Sequence, residues 1–243
     1  MIVSQELQIE VGGAKMPAYL ARPGTEGSYP AVIVLEGVFG FDEELRRITE
    51  LLAGLGYVGL AINYFHRTHP HLAEPFTDEG RARGEAAAAA VKKTEACADV
   101  AAARDWLNEQ PFVSSNHVAI WGFGFGGTIA FVTATLAGIN AAVVFYGQSI
   151  TGLMPSNEPA PLEDVKQIRA PLLLVFGGQD RLISHGDVEL IGHELTAHHK
   201  TFDVQLYPNV GHSFFRNTPD TQSTREASDA WDLVQAFFHK HLV

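Results

Sequence analysis

The stretch WGFGFGGTIA, residues 121–130, has the pattern of a strand that turns sharply into a helix. Glycines at 122, 126 and 127 remove side chains where a helix must pack tightly against the preceding strand. This is the spacing of a nucleophile elbow, whose apex residue carries the attacking atom, but the apex here is Gly124. A glycine-rich turn without catalytic meaning, such as a nucleotide-binding loop, has a similar composition. The rest of the chain must therefore decide between the two.

Short apolar segments alternate with amphipathic ones along the chain. Segments with strand length and β-branched residues are bounded by Gly or Pro at 31–36, 57–63, 117–122, 141–147, 171–178 and 201–208. Apolar residues recur at helical spacing in 42–56, 79–109, 125–138, 184–199 and 224–242, and the Ala-rich piece EAAAAAVKK is a strong helix former. This alternation predicts an α/β fold with a mostly parallel sheet and helices on both faces.

Length and composition are ordinary for one α/β domain. The chain has 243 residues, of which 46% are hydrophobic, enough to bury one large core. No linker, internal repeat or low-complexity tract divides it. We therefore expect residues 1–243 to form a single domain without a separate lid domain.

The charge balance excludes polyanionic partners. Seventeen Lys and Arg against 28 Asp and Glu give a formal net charge of −11, which repels nucleic acids and anionic lipid surfaces. The first residues show no signal-peptide pattern, and no apolar run reaches the roughly 18 residues of a membrane span. The single cysteine, Cys97, excludes an internal disulfide. These features predict a cytoplasmic protein whose partner is a small-molecule substrate.

Two polar motifs follow late strands. Asp180 closes the segment GGQD, and His212 lies in GHSFFR, each just after its own predicted strand. The order elbow, Asp, His along the chain is that of the α/β-hydrolases. A neutral His212 can remove a proton when Asp180 accepts a hydrogen bond from its other ring nitrogen. We expect these two side chains to be hydrogen-bonded, with the imidazole facing the space over Gly124.

A site for developing negative charge is expected beside the elbow. The main-chain N–H groups of Phe125 and Gly37 would point at an oxyanion, where the dipole of the following helix also favours negative charge. Such a hole does not depend on the nucleophile. Loss of a nucleophile typically leaves roughly 10³ to 10⁴-fold acceleration over water. Gly124 therefore predicts impaired, but not abolished, acyl transfer.

With these motifs, the sequence resembles the dienelactone hydrolase family of the α/β-hydrolase fold. The resemblance runs from PAVIVLEGVFG through GFGFGG and GGQD to GHSFFR. It implies a hydrolase of small esters or lactones that uses no cofactor. In that family a Cys occupies the apex, an Asp and a His complete the triad, and a Glu after the third strand contacts the thiol. Asp180, His212 and Glu36 match these residues.

The resemblance also implies groups that bind a substrate carboxylate. Arg216 in GHSFFR matches one such arginine, and either Arg81 or Arg83 lies near the position of a second. Tyr64 is the nearest candidate for the family's substrate-contacting tyrosine. Arginines at these positions would give charge-assisted hydrogen bonds to an anionic substrate.

Three positions depart from the family pattern. Gly124 stands where the Cys is usual. The segment 36–40 is one residue longer than usual, so that either Glu36 or Val38 faces the site. The segment 63–65 reads Asn-Tyr-Phe where the family has Asp-Leu-Tyr.

Other conspicuous residues have structural interpretations. Cys97 lies in the middle of a predicted helix, where a small buried hydrophobe is expected rather than a displaced nucleophile. His66, His69 and His71 could converge on a metal ion. No pattern such as HExxH accompanies them, so no metal site is expected.

Three functions are compatible with these residues. The favoured one is a hydrolase of small ester or lactone substrates, including carboxylate-bearing ones, with its nucleophile replaced naturally or by design at Gly124. The second is a proton-transfer enzyme, such as an isomerase, cyclase or hydratase, that uses Glu36 and His212 without a covalent intermediate. The third is a ligand-binding pseudoenzyme.

Overall fold

An eight-stranded sheet organises the protein, and the computed structural model describes residues 1–216 and 225–243. In chain order the strands are β1 (Ile2–Val11), β2 (Ala14–Pro23), β3 (Tyr29–Leu35), β4 (Val58–Ile62), β5 (Val113–Phe123), β6 (Ala141–Phe145), β7 (Leu172–Gly177) and β8 (Phe202–Tyr207). Their spatial order is β1-β2-β4-β3-β5-β6-β7-β8. The β1–β2 and β2–β4 pairs are antiparallel and all others are parallel. The predicted mostly parallel sheet is confirmed.

Helices fill the connections between the strands. They are α1 (Glu43–Gly54), α2 (Asp78–Ala88), α3 (Lys93–Asn108), α4 (Phe125–Thr133), α5 (His185–Ala197) and α6 (Arg225–Leu242), with a 3-10 helix at Pro161–Gln167. Within the described parts of the chain, no helix combines the length and hydropathy that a membrane span requires.

The central strands are apolar along their whole length because both faces of the sheet are covered. Every residue of β4, β6 and β7 is buried. The edge strand β1 is exposed over most of its length. The β1–β2 hairpin was not predicted, since a mostly solvent-exposed strand carries no continuous apolar run.

Two neighbouring residues of β5 show that helices lie on both faces. Successive side chains of a strand point to opposite faces of the sheet. Trp121 packs against Trp231 and Phe238 of α6, with ring centroids 5.7 and 6.2 Å apart. A Cβ on the next residue, Gly122, would instead lie 2.0 Å from the carbonyl oxygen of Gly126 in α4. Helices α6 and α4 therefore cover opposite faces, as predicted.

The helix predicted over residues 79–109 is in fact two helices. Helix α2 ends at Ala88 and α3 begins at Lys93, which interrupts the Ala-rich piece. Two tertiary contacts outweigh its helix propensity. Val91 in the break is buried in the core, and the Glu158 carboxylate accepts a 2.9 Å hydrogen bond from the N–H of Lys93.

The turn from β5 into α4 depends on close contacts that only glycine permits. A Cβ on Gly126 would lie 2.1 Å from the carbonyl oxygen of Glu36, and one on Gly127 would lie 2.7 Å from that of Phe145. Such distances are well below van der Waals contact. The start of α4 therefore packs directly on the backbone that leaves β3 and β6.

Candidate active site

A cleft that is partly open to solvent lies at the carboxyl ends of the central strands, and its empty space, with the open solvent at its entrance included, is about 600 Å³. Its walls come from the chain after β3, the elbow after β5, the turn after β6 and the turn after β8. In parallel sheets this edge is where ligands usually bind. The cleft therefore lies where the sequence motifs were expected to converge.

Gly124 forms the floor of the cleft. Its φ of +55° and ψ of −119° belong to a conformation that side chains with a Cβ rarely adopt. Its N–H donates a 3.0 Å hydrogen bond to the carbonyl of Phe145, which holds the turn in place. A Cβ at this position would lie 3.6 Å from His212 Nε2 and 3.9 Å from the Cα of Gly37. The apex thus has space for a side chain directly beneath the imidazole.

His212 and Asp180 are hydrogen-bonded. His212 Nδ1 lies 2.7 Å from Asp180 Oδ2, and the other carboxylate oxygen accepts a 2.8 Å hydrogen bond from the N–H of Leu182. The Asp180 side chain is fully buried, whereas that of His212 is 12% exposed. Because the carboxylate accepts from Nδ1, Nε2 is the unprotonated nitrogen of the neutral ring. This nitrogen is the one that faces Gly124.

Tyr146 packs against the imidazole and was not identified from the sequence. Its ring centroid lies 5.0 Å from that of His212, and the residue is buried. Burial raises the pKa of Tyr146 far above its ordinary value of 10.0, so its phenol stays neutral. Its place at the carboxyl end of the predicted strand 141–147, next to the elbow, was a usable signal.

Glu36 and Val38, the two residues left open by the sequence, both line the cleft. Glu36 is 2% exposed, and neither of its carboxyl oxygens has a hydrogen-bond partner among the described residues. Burial raises the pKa of Glu36 well above its ordinary value of 4.5, and the negative charge of Asp42 raises it further. Glu36 therefore keeps its proton to a much higher pH than an exposed glutamate.

Tyr64 does not line the cleft, which corrects its proposed contact with substrate. Its hydroxyl donates a 2.6 Å hydrogen bond to the carbonyl oxygen of Glu36, and its ring packs against Phe65 and Phe125. The residue is almost fully buried. Tyr64 therefore supports the main chain at Glu36 from behind.

The candidate arginines have different surroundings. Arg81 and Arg216 line the cleft, whereas Arg83 does not. Arg83 pairs with Glu74 at 2.6 Å and its side chain is 56% exposed. Residues two apart on a helix point in nearly opposite directions, so Arg81 and Arg83 of α2 cannot share one site. Arg83 is therefore removed from the set of substrate-binding candidates.

Two main-chain N–H groups flank the apex. Phe125 is the first residue of α4, where N–H groups have no acceptor within the helix. Gly37 follows the end of β3, and both residues line the cleft. Each N–H, together with the positive end of the α4 dipole, can favour negative charge on a ligand oxygen.

The residues interpreted as structural lie away from the cleft. Burial raises the pKa of Cys97 to about 11, which leaves little thiolate at neutral pH. The buried side chain of His66 contacts Asp99, which also binds Arg67 through two hydrogen bonds. Among the residues that the structure describes, no group of three or more His, Cys, Asp or Glu is arranged to hold a metal ion.

Comparison with known proteins connects this site to a family. The sequence profile described as the Dienelactone hydrolase family matches residues 16–242. The chain belongs to the dienelactone hydrolase family. Its fold is accordingly the α/β-hydrolase fold. Members of this lineage are hydrolases that act on ester and lactone bonds.

Similar proteins of comparable length support the assignment. A protein of Synechocystis sp. that carries the name carboxymethylenebutenolidase is 32% identical over 241 residues, covering 99% of this chain and 95% of its own. One from Bradyrhizobium sp., named as a 2-oxo-3-(5-oxofuran-2-ylidene)propanoate lactonase, is 29% identical over 238 residues and covers 97% and 94%. A crystal structure from Klebsiella pneumoniae, named as a dienelactone hydrolase, matches with a TM-score of 0.90 at 26% identity, covering 98% and 99%.

The raised pKa of Glu36 predicts how stability depends on pH. Its pKa in the folded protein lies above that in the unfolded chain, so only the unfolded chain loses this proton just above pH 4.5. The contribution of Glu36 to the free energy of unfolding therefore falls as pH rises, until the pH reaches the pKa of Glu36 in the folded protein. In the Glu36→Gln variant the side chain at residue 36 is neutral at every pH, so this fall in stability does not occur. The free energy of unfolding of the wild type minus that of Glu36→Gln should decrease as pH rises above 4.5.

Urea unfolding of both proteins over a series of pH values measures this difference. All other titrating groups are shared, so their contributions cancel in the subtraction. A difference that stays constant with pH would mean that the pKa of Glu36 is the same in the folded and unfolded states.

Proposed function

We propose that the protein hydrolyses small esters or lactones by direct attack of water, with His212 as the general base. The observation that carries this proposal is the 3.6 Å between His212 Nε2 and the position of a Cβ on Gly124. Without a side chain at the apex, that space can hold water within hydrogen-bond reach of the basic nitrogen.

The steps need only groups that this chain supplies. His212 takes a proton from water as the water oxygen attacks the carbonyl carbon above Gly124. Asp180 holds the tautomer and stabilises the imidazolium that forms. The N–H groups of Phe125 and Gly37 donate to the carbonyl oxygen as it becomes negative. The intermediate collapses when His212 returns the proton to the leaving oxygen, and no cofactor takes part.

The missing nucleophile limits the substrates that react well. A hydrolase of this kind without its nucleophile keeps roughly 10³ to 10⁴-fold acceleration from binding and the oxyanion hole. Substrates with a good leaving group, such as aryl or enol esters and lactones, need less help from the enzyme. We therefore assign this protein to activated esters and lactones of small size.

Arg81 supports a carboxylate on the substrate. Its guanidinium lines the cleft 5.5 Å from the Phe39 ring, and no described acidic group pairs with it. A charge-assisted hydrogen bond to a ligand carboxylate is stronger than a neutral one. Arg81 would then orient the substrate with its carbonyl over Gly124.

Gly124→Cys should convert the protein into an acylating enzyme. A Cβ at residue 124 meets nothing closer than 3.6 Å, so a thiol fits beside the imidazole, at a backbone strain cost of about 1–3 kcal/mol. The expected result is a pre-steady-state burst with an activated aryl ester and an acyl adduct in the intact mass. Gly124→Ser should acylate more slowly, because a hydroxyl depends wholly on the base for activation.

Gly124→Ala is the matched control, since it carries the same backbone strain and fills the space with a methyl group. It should lower steady-state hydrolysis below that of the wild type and show no burst. If a folded Gly124→Cys protein gives neither a burst nor an adduct, the elbow does not present its apex to the substrate, and the proposal fails.

One observation favours a second candidate, proton transfer without hydrolysis. Glu36 is a buried acid whose pKa is raised well above its ordinary value by burial, and its carboxyl group has no hydrogen-bond partner among the described residues. It shares a cleft with the basic nitrogen of His212. Such a pair of groups can move a proton between two positions of a carbonyl compound.

The test is exchange of the carbonyl-adjacent protons of 4-oxopentanoate in D₂O, followed by NMR. The second candidate predicts exchange above the buffer rate that is lost in both Glu36→Gln and His212→Asn. Exchange at the buffer rate in the wild type excludes the proton-transfer candidate. If ester hydrolysis is also absent, the third possibility, ligand binding without catalysis, remains.

A further inference from the structure

Two of the residues that line the cleft, Arg216 and Asp42, form an ion pair. The guanidinium of Arg216 donates a hydrogen bond to the carboxylate of Asp42 and lies over the rings of Phe76 and Phe39, at 4.7 and 5.3 Å from their centroids. Asp42 is also the N-cap of α1, because its Oδ1 accepts a 3.0 Å hydrogen bond from the N–H of Leu45. The position of Asp42 is therefore set by the helix start and does not depend on a ligand.

The remaining charges of the cleft leave Arg81 as the cation available to a ligand. Glu44 lines the cleft but binds Arg47 through two hydrogen bonds of 2.7 and 2.8 Å. Burial raises the pKa of Glu36 and so favours its neutral form. Asp42 offsets the charge of Arg216. Among the described residues that line the cleft, Arg81 alone is a cation without an acidic partner.

We propose that Asp42 determines the charge of the ligand that this cleft accepts, restricting it to compounds with one carboxylate. Arg81 binds that carboxylate, while Asp42 competes with any second carboxylate for Arg216. The inference rests on the proposed function in one respect, that the substrate occupies this cleft.

Exchange of carboxylates at Arg216 explains the restriction. A ligand carboxylate that replaced Asp42 would break one charge-assisted hydrogen bond to form another. It would also leave Asp42, whose side chain is only 16% exposed, without its partner and beside a second negative charge. A second carboxylate therefore brings no gain in affinity, whatever other contacts the guanidinium makes.

Three derivatives of one acid differ in their number of carboxylates, and none of them is readily hydrolysed. Glutaramide is neutral, glutaramate has one carboxylate and glutarate has two. Isothermal titration calorimetry with the wild type should show glutaramate binding at least about tenfold more tightly than glutaramide, the ratio that one charge-assisted contact supplies. Glutarate should bind no more tightly than glutaramate.

Asp42→Asn removes the competing charge and keeps the helix start, because Asn is as good an N-cap as Asp. In this variant the ratio of the glutarate affinity to the glutaramate affinity should be about tenfold higher than in the wild type. Asp42→Asn combined with Arg216→Gln should lose that gain. Glu43→Gln is the matched control: it removes one charge from the neighbouring exposed residue, which does not line the cleft, and should leave all three affinities unchanged.

Wild-type protein that binds glutarate much more tightly than glutaramate would overturn the proposal, a result that does not require any variant to fold. An unchanged ratio of the two affinities in Asp42→Asn would overturn it as well, as would equal binding of glutaramate and glutaramide by the wild type. Because binding is measured without turnover, a failure of hydrolysis leaves each of these outcomes readable.

Discussion

The close packing of α4 against the chain that leaves β3 is the contact on which the whole site depends. It requires a residue without a side chain at 126, where a Cβ would lie 2.1 Å from the carbonyl oxygen of Glu36. Because the two backbones touch, Phe125 at the helix start and Gly37 after β3 both border the apex at Gly124. The positions of the N–H groups proposed to stabilise an oxyanion thus follow from backbone packing and do not depend on which residue occupies the apex.

The groups around the apex remain organised although no nucleophile stands there. Asp180 and Tyr146 hold the imidazole of His212 from two sides. Glu36 keeps a buried carboxyl group that has no hydrogen-bond partner among the described residues, which costs folding free energy and in native proteins commonly marks a functional site. A chain under selection for stability alone would not need this residue. The arrangement is what a general base acting on water requires.

Much of the fold could be predicted from the sequence, since buried parallel strands read as apolar runs and the elbow has its own glycine spacing. The β1–β2 hairpin and the break between α2 and α3 could not be predicted in this way. Strand β1 is mostly solvent-exposed, and the break depends on burial of Val91 and on the hydrogen bond from the N–H of Lys93 to Glu158. The order of Asp180 and His212 along the chain was enough to predict their hydrogen bond.

The surroundings of the charged side chains were harder to foresee. The choice between Arg81 and Arg83 depends on helix orientation, and the Arg216–Asp42 pair joins residues far apart in the chain. Tyr64 was the nearest candidate for the family's substrate-contacting tyrosine, but its hydroxyl donates a hydrogen bond to the main chain of Glu36 instead. Motif spacing locates a residue at a strand end, whereas its partners depend on how the surrounding loops pack.

The most direct test of the central claim is kcat/KM for an activated aryl ester, measured for the wild type and for His212→Asn. Asn cannot act as the base but keeps a polar side chain of moderate size at this position. If His212 activates water above Gly124, kcat/KM should fall by about 10²-fold or more, the usual contribution of a general base. Equal values for the two folded proteins would contradict the account.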